Sequence, residues 1–549
     1  MLKVLDNPLY YLENFERVLD WIGTRYADLL TPAEADFIAR FAPLPQASRA
    51  LLVRMVMRKG CRFRASKLVY AEIGDPRAAA APLLALGWIE SDPLLSLEQL
   101  FDLLHKSEIG ALFQLSLHGK GARKAEQLAA LQPQYPAALP FSSWHAESGD
   151  QVYHILSKAL CERLRLIFFG NFRQDWSEFV LSDLGVYQYE KVEFSAASRG
   201  FRSRRDIDDY LALQRCRERF HAQEPAADVL RELSLAASDN DWLASRRDKL
   251  RFQIAQELER RADWDGALAI YADCAYPGAR ARAIRVLEKS ARHGEAHALL
   301  LDAQAAPESE AERQQLLRIA PRLRRRLGHP KLAPPPAAAS REIDLRLPPP
   351  YPPCCVEAAV RDHLARPEAP VYYVENTLIN SLFGLLCWNV IFKPIPGAFF
   401  HPFHRGPADL YSADFQQRRA ADFAACLAEF DSGQYRRTIA RNYAAKSGIQ
   451  SPFVAWDVLD ETLLALALDC IPAPHLKKWC ERILQDIQAN RSGFPDLIQF
   501  WPAERRYDMI EVKGPGDRLQ DSQKRWIAYC AEHGMPVAVC YLQWDADPA

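Results

Sequence analysis

A multidomain, mainly α-helical chain ending in an α/β domain is the fold class that this sequence predicts. Three observations predict it. The chain has 549 residues, beyond the roughly 250–300 at which one hydrophobic core stops growing. Apolar residues recur at helical spacing up to residue 327. After a proline-rich stretch, short runs of strand-forming residues appear, such as PDLIQFWP and YDMIEVKG.

Composition narrows the function classes. Hydrophobic residues make up 49% of the chain and the net charge is −1, as in an ordinary globular protein. No run of about 18 uncharged apolar residues predicts a membrane span. The start, MLKVLDNPLYYLENF, lacks the basic flank and apolar core of a signal peptide. Twelve cysteines are scattered, with one adjacent pair, Cys354–Cys355, and no CxxC. Neither a zinc site nor a disulfide framework follows from that spacing, so a reduced, cytoplasmic protein is expected. A near-neutral total leaves nucleic acid open, because local patches bind phosphate.

Residues 1–93 read as a basic helical domain. Thr31 is placed to cap a helix that opens with Pro32. SRALLVRMVMRKG is helical in period, and SKLVYAEIG with AAAAPLLALGWIESD completes a small helical or winged-helix unit. The cations Arg54, Arg58, Lys59, Arg62, Arg64 and Lys67 cluster here and are candidate phosphate contacts, although a solvated helix face gives the same pattern. In 94–132, two amphipathic helices flank Gly119-Lys120-Gly121, with Arg123 and Lys124 following. This resembles an SAP module, a small DNA-binding element in which backbone amides and Lys/Arg grip phosphate.

Residues 133–225 read as a helical connecting region, with Trp176, Phe179 and Leu184 as core. A further basic run there, SRGFRSRR, contains Arg199, Arg202, Arg204 and Arg205. Residues 226–327 are alanine-rich helical hairpins of tetratricopeptide-like spacing, ending in the basic run Arg322, Arg324, Arg325 and Arg326. The prolines of 328–353 predict a semi-rigid linker. The remaining domain is expected over 354–549.

The chemistry concentrates in FPDLIQFWPAERRYDMIEVKGPGDRL. A turn centred on Ala503 and Glu504 places Asp496 opposite Glu511 on a hairpin. Directly opposed residues are about 4.5–5.5 Å apart at Cα, and like charges there repel. A divalent cation resolves the conflict: two carboxylates, a carbonyl such as that of Val512, and waters make an oxygen cage for Mg²⁺ or Mn²⁺. Lys513 lies two residues past Glu511, on the same face, where it can orient or deprotonate a water. That is the parts list of metal-assisted phosphodiester hydrolysis. Glu375, before an apolar helix containing Leu378, Leu382, Leu385 and Leu386, reads on its own as a first-turn charge. His401 and His404 form HxxH, but Pro402 between them argues for a loop and against zinc. No phosphate-binding Walker loop is present.

Pro495-Asp496, Glu511-Val512-Lys513-Gly514-Pro515, Asp517-Arg518-Leu519 and Gln523 together resemble the VRR-NUC branch of the PD-(D/E)XK nucleases, over the C-terminal third. With the basic N-terminal unit, the SAP-like element and the helical repeats, the chain resembles the Fanconi-anaemia-associated nuclease family in a compact, bacterial-looking form. The resemblance implies a structure-specific DNase that cuts 5′ flaps, digests 5′ to 3′ and acts in interstrand cross-link repair. It implies Asp496, Glu511 and Lys513 as catalytic, Glu375 as a completing metal ligand, and Gln523 as a support or phosphate contact. Branched DNA, and protein partners on the helical repeats, are the implied partners, with a cytoplasmic nucleoid or nuclear location. One departure is Trp388-Asn389, where Trp-Asp is expected. Alternatives are a Holliday-junction resolvase or restriction-like nuclease, a DNA-binding scaffold without cleavage, and an RNase.

Overall fold

The computed structural model describes residues 7–114, 123–194, 198–235, 239–331, 341–349, 354–412 and 414–545. The chain divides into two compact units. One comprises Met1–Gln188 with Arg199–Arg204, and the other Tyr189–Ser198 with Arg205–Ala549.

The first unit is helical with small sheets. Its opening helix, Tyr10–Arg25, buries Phe15, Val18 and Ile22 on one face. Pro32–Phe41 begins as the sequence predicts, with a capping box in which Thr31 and Glu34 satisfy each other's backbone amides. Gln46–Met57 follows and buries Leu51, Leu52 and Met55. Strand β1 (Arg62–Arg64) and strand β2 (Ile89–Ser91) do not pair with each other. Both pair antiparallel with β5 (Val152–Ile155), which lies between them. The short strands β3 (Leu94–Leu95) and β4 (Leu139–Pro140) form a second ladder. The expected divisions at 93 and 132 are therefore bridged by sheet pairing that no local pattern announces. Helices Leu97–Leu103, Lys106–Leu112 and Lys124–Leu131 stand where the SAP-like element is expected. Its turn, Gly119-Lys120-Gly121, lies outside the described residues.

The second unit carries the helical repeats and the mixed sheet. Helices Asp241–Arg260, Trp264–Ala272, Ala279–Lys289, His293–Ala305 and Glu310–Arg326 each pack against the next. Glu259, 5% exposed, anchors the series by accepting from Arg282 at 3.1 Å and Lys289 at 3.3 Å. Sharing a buried carboxylate between two cations avoids the cost of leaving it unpaired.

Five strands form the sheet, in the order β6 (Arg341–Leu347), β10 (Val537–Trp544), β9 (Arg506–Lys513), β8 (Leu497–Trp501), β7 (Val371–Tyr373). β10 runs parallel to both β6 and β9, and β8 runs antiparallel to β9 and β7. β6 corrects the reading of 328–353 as linker throughout. Ile343, Leu345 and Leu347 alternate with Glu342, Asp344 and Arg346, a period-2 signal of a half-buried strand that the surrounding prolines obscured.

The two sheet faces bury different cores. Ile498, Phe500, Tyr507 and Met509 face the larger one, built on helices Leu378–Leu386, Glu461–Cys470, Ala473–Gln485 and Asp521–Glu532. Leu497, Ile510, Val512 and Cys540 face the smaller one, with Val360 of helix Val356–Leu364. Among the described residues no helix is long and apolar enough to cross a membrane.

Candidate active site

Leu497 pairs with Ile510 and Trp501 with Arg506. One further step of that register sets Asp496 opposite Glu511, as the sequence predicts. The turn is a 3₁₀ stretch, Pro502–Glu504, closed by Arg505 at φ +50. Strand alternation puts Asp496 on the side of Ile498 and Phe500, and Glu511 and Lys513 on the side of Tyr507 and Met509. All three polar groups thus enter the face that meets the larger core, and that is why they are buried: Asp496 is 5% exposed, Glu511 0% and Lys513 8%.

Burial governs their protonation. Asp496 is pushed up to about 6, chiefly by desolvation, while the Val512 amide bound to its Oδ2 at 2.8 Å opposes the rise. Glu511 is pushed up to about 8, by desolvation first and by the Asp496 charge second. Lys513 Nζ lies 2.7 Å from Glu511 Oε1, yet neither Glu511 oxygen has a partner in hydrogen-bonding geometry among the described residues. The Lys513 ammonium offsets part of the cost of burying Glu511 beside Asp496, and two like charges this close in a desolvated site favour a further cation.

Two buried carboxylates on one face suit a divalent ion. The donors are oxygens, as Mg²⁺ and Mn²⁺ prefer, and Glu511 has lone pairs to give. Among the described residues, no three His, Cys, Asp or Glu side chains already form a metal cluster. Asp496 and Glu511 are the two carboxylates that could hold an ion, with carbonyls, waters, substrate or Glu375 open as further ligands. Glu375 sits at the edge, half-buried, and its charge raises both Asp496 and Glu511. The Val374 amide donates to the Asp496 carbonyl at 2.8 Å, which ties the Glu375 segment to the hairpin.

Other predicted residues have structural duties. Gln523 sits at the third position of helix Asp521–Glu532, where its side chain accepts the Gln520 amide at 2.7 Å in a capping box. Asn389 is exposed, whereas Trp388 before it is buried and donates to Glu190 at 2.8 Å. His404 stands 4.1 Å ring to ring from His401, and burial pushes it down to about 4.

The predicted DNA-contacting cations divide. Arg64 is 8% exposed and held by Glu108 at 2.7 Å and Asp150 at 2.8 Å. Arg54 pairs with Glu72 at 2.6 Å and lies 3.8 Å over the Tyr11 ring. Arg204 meets the fully buried Glu34 at 2.6 Å. All three are engaged by carboxylates of their own fold, that of Arg204 fully buried, which compete with solvent phosphate for the guanidinium. Arg58 donates to the Lys67 carbonyl at 3.2 Å, Arg62 reaches the Cys61 sulfur at 3.8 Å, and Lys124 donates to the Leu104 carbonyl at 2.9 Å. Lys59, Lys67, Arg123, Arg202 and Arg205 are exposed, and Lys120 lies outside the described residues.

Two neighbours of the site escaped sequence reasoning. Tyr373 donates to Glu375 Oε2 at 2.6 Å, and Asn376 donates to Glu375 Oε1 at 3.1 Å. The available signal was Asn376 itself, an asparagine just ahead of a helix, since asparagine tolerates the left-handed backbone region; its φ is +52.

A hairpin with two opposed buried carboxylates and a lysine on one face defines a nuclease of the VRR-NUC class, and the VRR-NUC domain model matches residues 431–544. The FAN1 HTH domain model matches 9–90, and the Fanconi anemia-associated nuclease SAP domain model matches 94–144. A Fanconi-associated nuclease 1 homolog of Pseudomonas aeruginosa is 58% identical over 543 residues, covering 99% of this chain and 97% of its own. The Arabidopsis thaliana homolog is 23% identical over 97% of this chain and 67% of its own. The Homo sapiens Fanconi-associated nuclease 1 is 31% identical over 31% of this chain and 17% of its own. A crystal structure of paFAN1 bound to DNA with a 2-nucleotide 5′ flap and a gap superposes with a TM-score of 0.95, at 58% identity, over 99% of this chain and 100% of that one. The chain belongs to the Fanconi-associated nuclease 1 family and is a DNA phosphodiesterase.

Proposed function

We propose that this nuclease cleaves 5′-flap DNA endonucleolytically near the junction and digests 5′ to 3′, in the service of interstrand cross-link repair, with Mg²⁺ or Mn²⁺ as cofactor. The observation that carries the reading is the pair of buried carboxylates, Glu511 opposite Asp496, with the Lys513 ammonium 2.7 Å from Glu511. It sits in a chain that aligns from end to end with a protein crystallised on 5′-flap DNA. Asp496, Glu511 and the Val512 carbonyl would hold the ion, with Glu375 as the outer ligand. When bound, a divalent cation supplies Lewis-acid polarisation of the scissile phosphate and acidifies a water.

The chain's own groups do the rest. Asp496 is oriented by the Val512 amide, so its second oxygen stays free toward the site. Once Glu511 is engaged elsewhere, the Lys513 ammonium is free to meet the phosphate or to orient the attacking water. Gln523 supports the site through the cap of the helix that follows β9. The exposed Lys59, Lys67, Arg123, Arg202 and Arg205, together with Lys120, supply phosphate contacts, which position without reading sequence. Binding then weakens steeply with salt. The place of action in this reading is the cytoplasmic nucleoid.

The test uses end-labelled 5′-flap DNA with Mg²⁺, Mn²⁺ or chelator, beside Asp496→Ala. Metal-dependent cutting near the junction, lost in the variant while flap binding persists, is expected. Normal cutting by the variant overturns the site assignment, and cutting of four-way junctions in preference to flaps turns the reading toward a resolvase.

A further inference from the structure

We infer that Asn376 is a positioning residue that clasps the two acidic segments of the site together and thereby sets its affinity for the divalent ion. This rests on the metal-dependent reading above.

The clasp spans a long sequence separation. Asn376 Nδ2 donates to Glu375 Oε1 at 3.1 Å, while Oδ1 of the same amide accepts from the Gly493 N–H at 2.7 Å and the Phe494 N–H at 3.2 Å. Phe494 is two residues ahead of Asp496. One planar amide thus fixes the outer carboxylate and the approach to the central one. Its orientation is not ambiguous: a flip would set NH₂ against two backbone donors and an oxygen against a carboxylate.

Both sides of the clasp are braced. Asn380, 2% exposed, donates through Nδ2 to the carbonyls of Asn376, at 2.7 Å, and Arg491, at 2.8 Å. On the far side, the Phe494 and Trp526 rings stack at 4.0 Å. Glu375 is gripped on its other oxygen by Tyr373 at 2.6 Å. Each carboxylate oxygen has two lone pairs, so Glu375 remains able to ligate while its rotation is blocked. Asn376 itself holds φ +52, and non-glycine residues kept in this region collect at functional sites where the surroundings over-determine them. Partners of this kind, one shell out from a metal ligand, tune affinity by fixing ligand geometry.

The test is Asn376→Gly, which accepts the left-handed backbone and removes all three side-chain bonds. Mn²⁺ binding to the full-length protein is read by electron paramagnetic resonance, and flap cleavage is titrated with Mn²⁺. The expected result is a Mn²⁺ dissociation constant and a half-saturating Mn²⁺ concentration both raised about tenfold. The kcat at saturating Mn²⁺ and flap binding in chelator should stay near wild type. A merely structural role would instead lower kcat at every metal concentration. Should Asn376→Gly fail to fold, Asn376→Asp keeps the left-handed tolerance and the acceptor for Gly493 and Phe494 but loses the donor to Glu375. Wild-type Mn²⁺ affinity in either folded variant overturns the clasp alone. Failure of the wild-type protein to bind Mn²⁺ overturns the metal reading, and the clasp with it.

Discussion

Where no opposite charge is at hand, burial decides the protonation of single residues in this protein. His404 illustrates the rule away from the active site. Its ring centroid lies 4.8 Å from that of Phe400 and 5.6 Å from that of Phe399, and its Nδ1 faces the Gly406 carbonyl at 3.3 Å. Desolvation disfavours the imidazolium and pushes the group down to about 4. The folded value lies below the ordinary one of about 6.5. The folded chain therefore binds fewer protons than the unfolded chain in the window between them, and stability present above about 6.5 is lost as pH falls through 4. Thermal melts of wild type and His404→Gln across that window check this. The variant, which cannot titrate there, is expected to lose less melting temperature on acidification. Equal slopes would mean that the imidazole keeps enough water contact to stay near its ordinary value. Asp496 and Glu511 shift in the opposite sense for the same reason, because desolvation disfavours the charged form of each.

At the scale of elements, the hairpin was legible in the sequence because its signals are local. A strand-forming run, a polar break and a second run set the register, and the register alone brings Asp496 opposite Glu511. The capping box at Thr31 and Glu34 was legible for the same reason. What stayed hidden is non-local. β5 lies between β1 and β2 from about sixty residues downstream of β2, and β6 pairs with β10 from the far side of the whole domain. Neither partnership has a signature in its own segment. The same holds for the cations: the carboxylate partners of Arg54, Arg64 and Arg204 lie 18 or more residues away in the chain and have no signature in the basic runs. The turn leading into the hairpin adds a constraint of its own. Gly493 has φ +94, and a Cβ there would meet the Ser522 Cβ at 2.5 Å and its backbone carbon at 2.6 Å. Gly493→Ala is expected to cost about 2–4 kcal/mol in strain and overpacking, and to reduce cleavage more than flap binding, since Asp496 follows three residues later. Denaturant titration and parallel cleavage and binding assays measure both. A variant with wild-type stability would show that the Ser522 segment gives way.

On the scale of the second unit, the helical repeats and the nuclease sheet are joined by polar contacts around one buried guanidinium, that of Arg482. Arg482 is 4% exposed, bonded to Glu310 at 2.6 Å and layered 4.1 Å from the Tyr529 ring and 4.8 Å from the Trp526 ring. Arg525 donates to Gln314 at 2.7 Å, and Arg318 pairs with Asp521 at the start of the helix that Gln523 caps. Each contact runs from helix Glu310–Arg326 to elements that flank the active hairpin. Arg482 sets the energetics, because a guanidinium walled by aromatic rings loses its water, and desolvation already pushes it below its ordinary range. Removing only its acid leaves that charge stranded, and breaking one side of a buried pair costs about 3–5 kcal/mol. Glu310→Ala should therefore destabilise the protein strongly in chemical denaturation. Arg482→Met, which fills the aromatic slot without charge, should recover much of that loss when combined with Glu310→Ala. The double variant would then be more stable than Glu310→Ala alone, the reverse of simple additivity. If both singles are mild and the double is their sum, the junction is wet. The repeats would then be held to the nuclease by the apolar packing around Trp526 and by the outer contacts of Arg318 and Arg525.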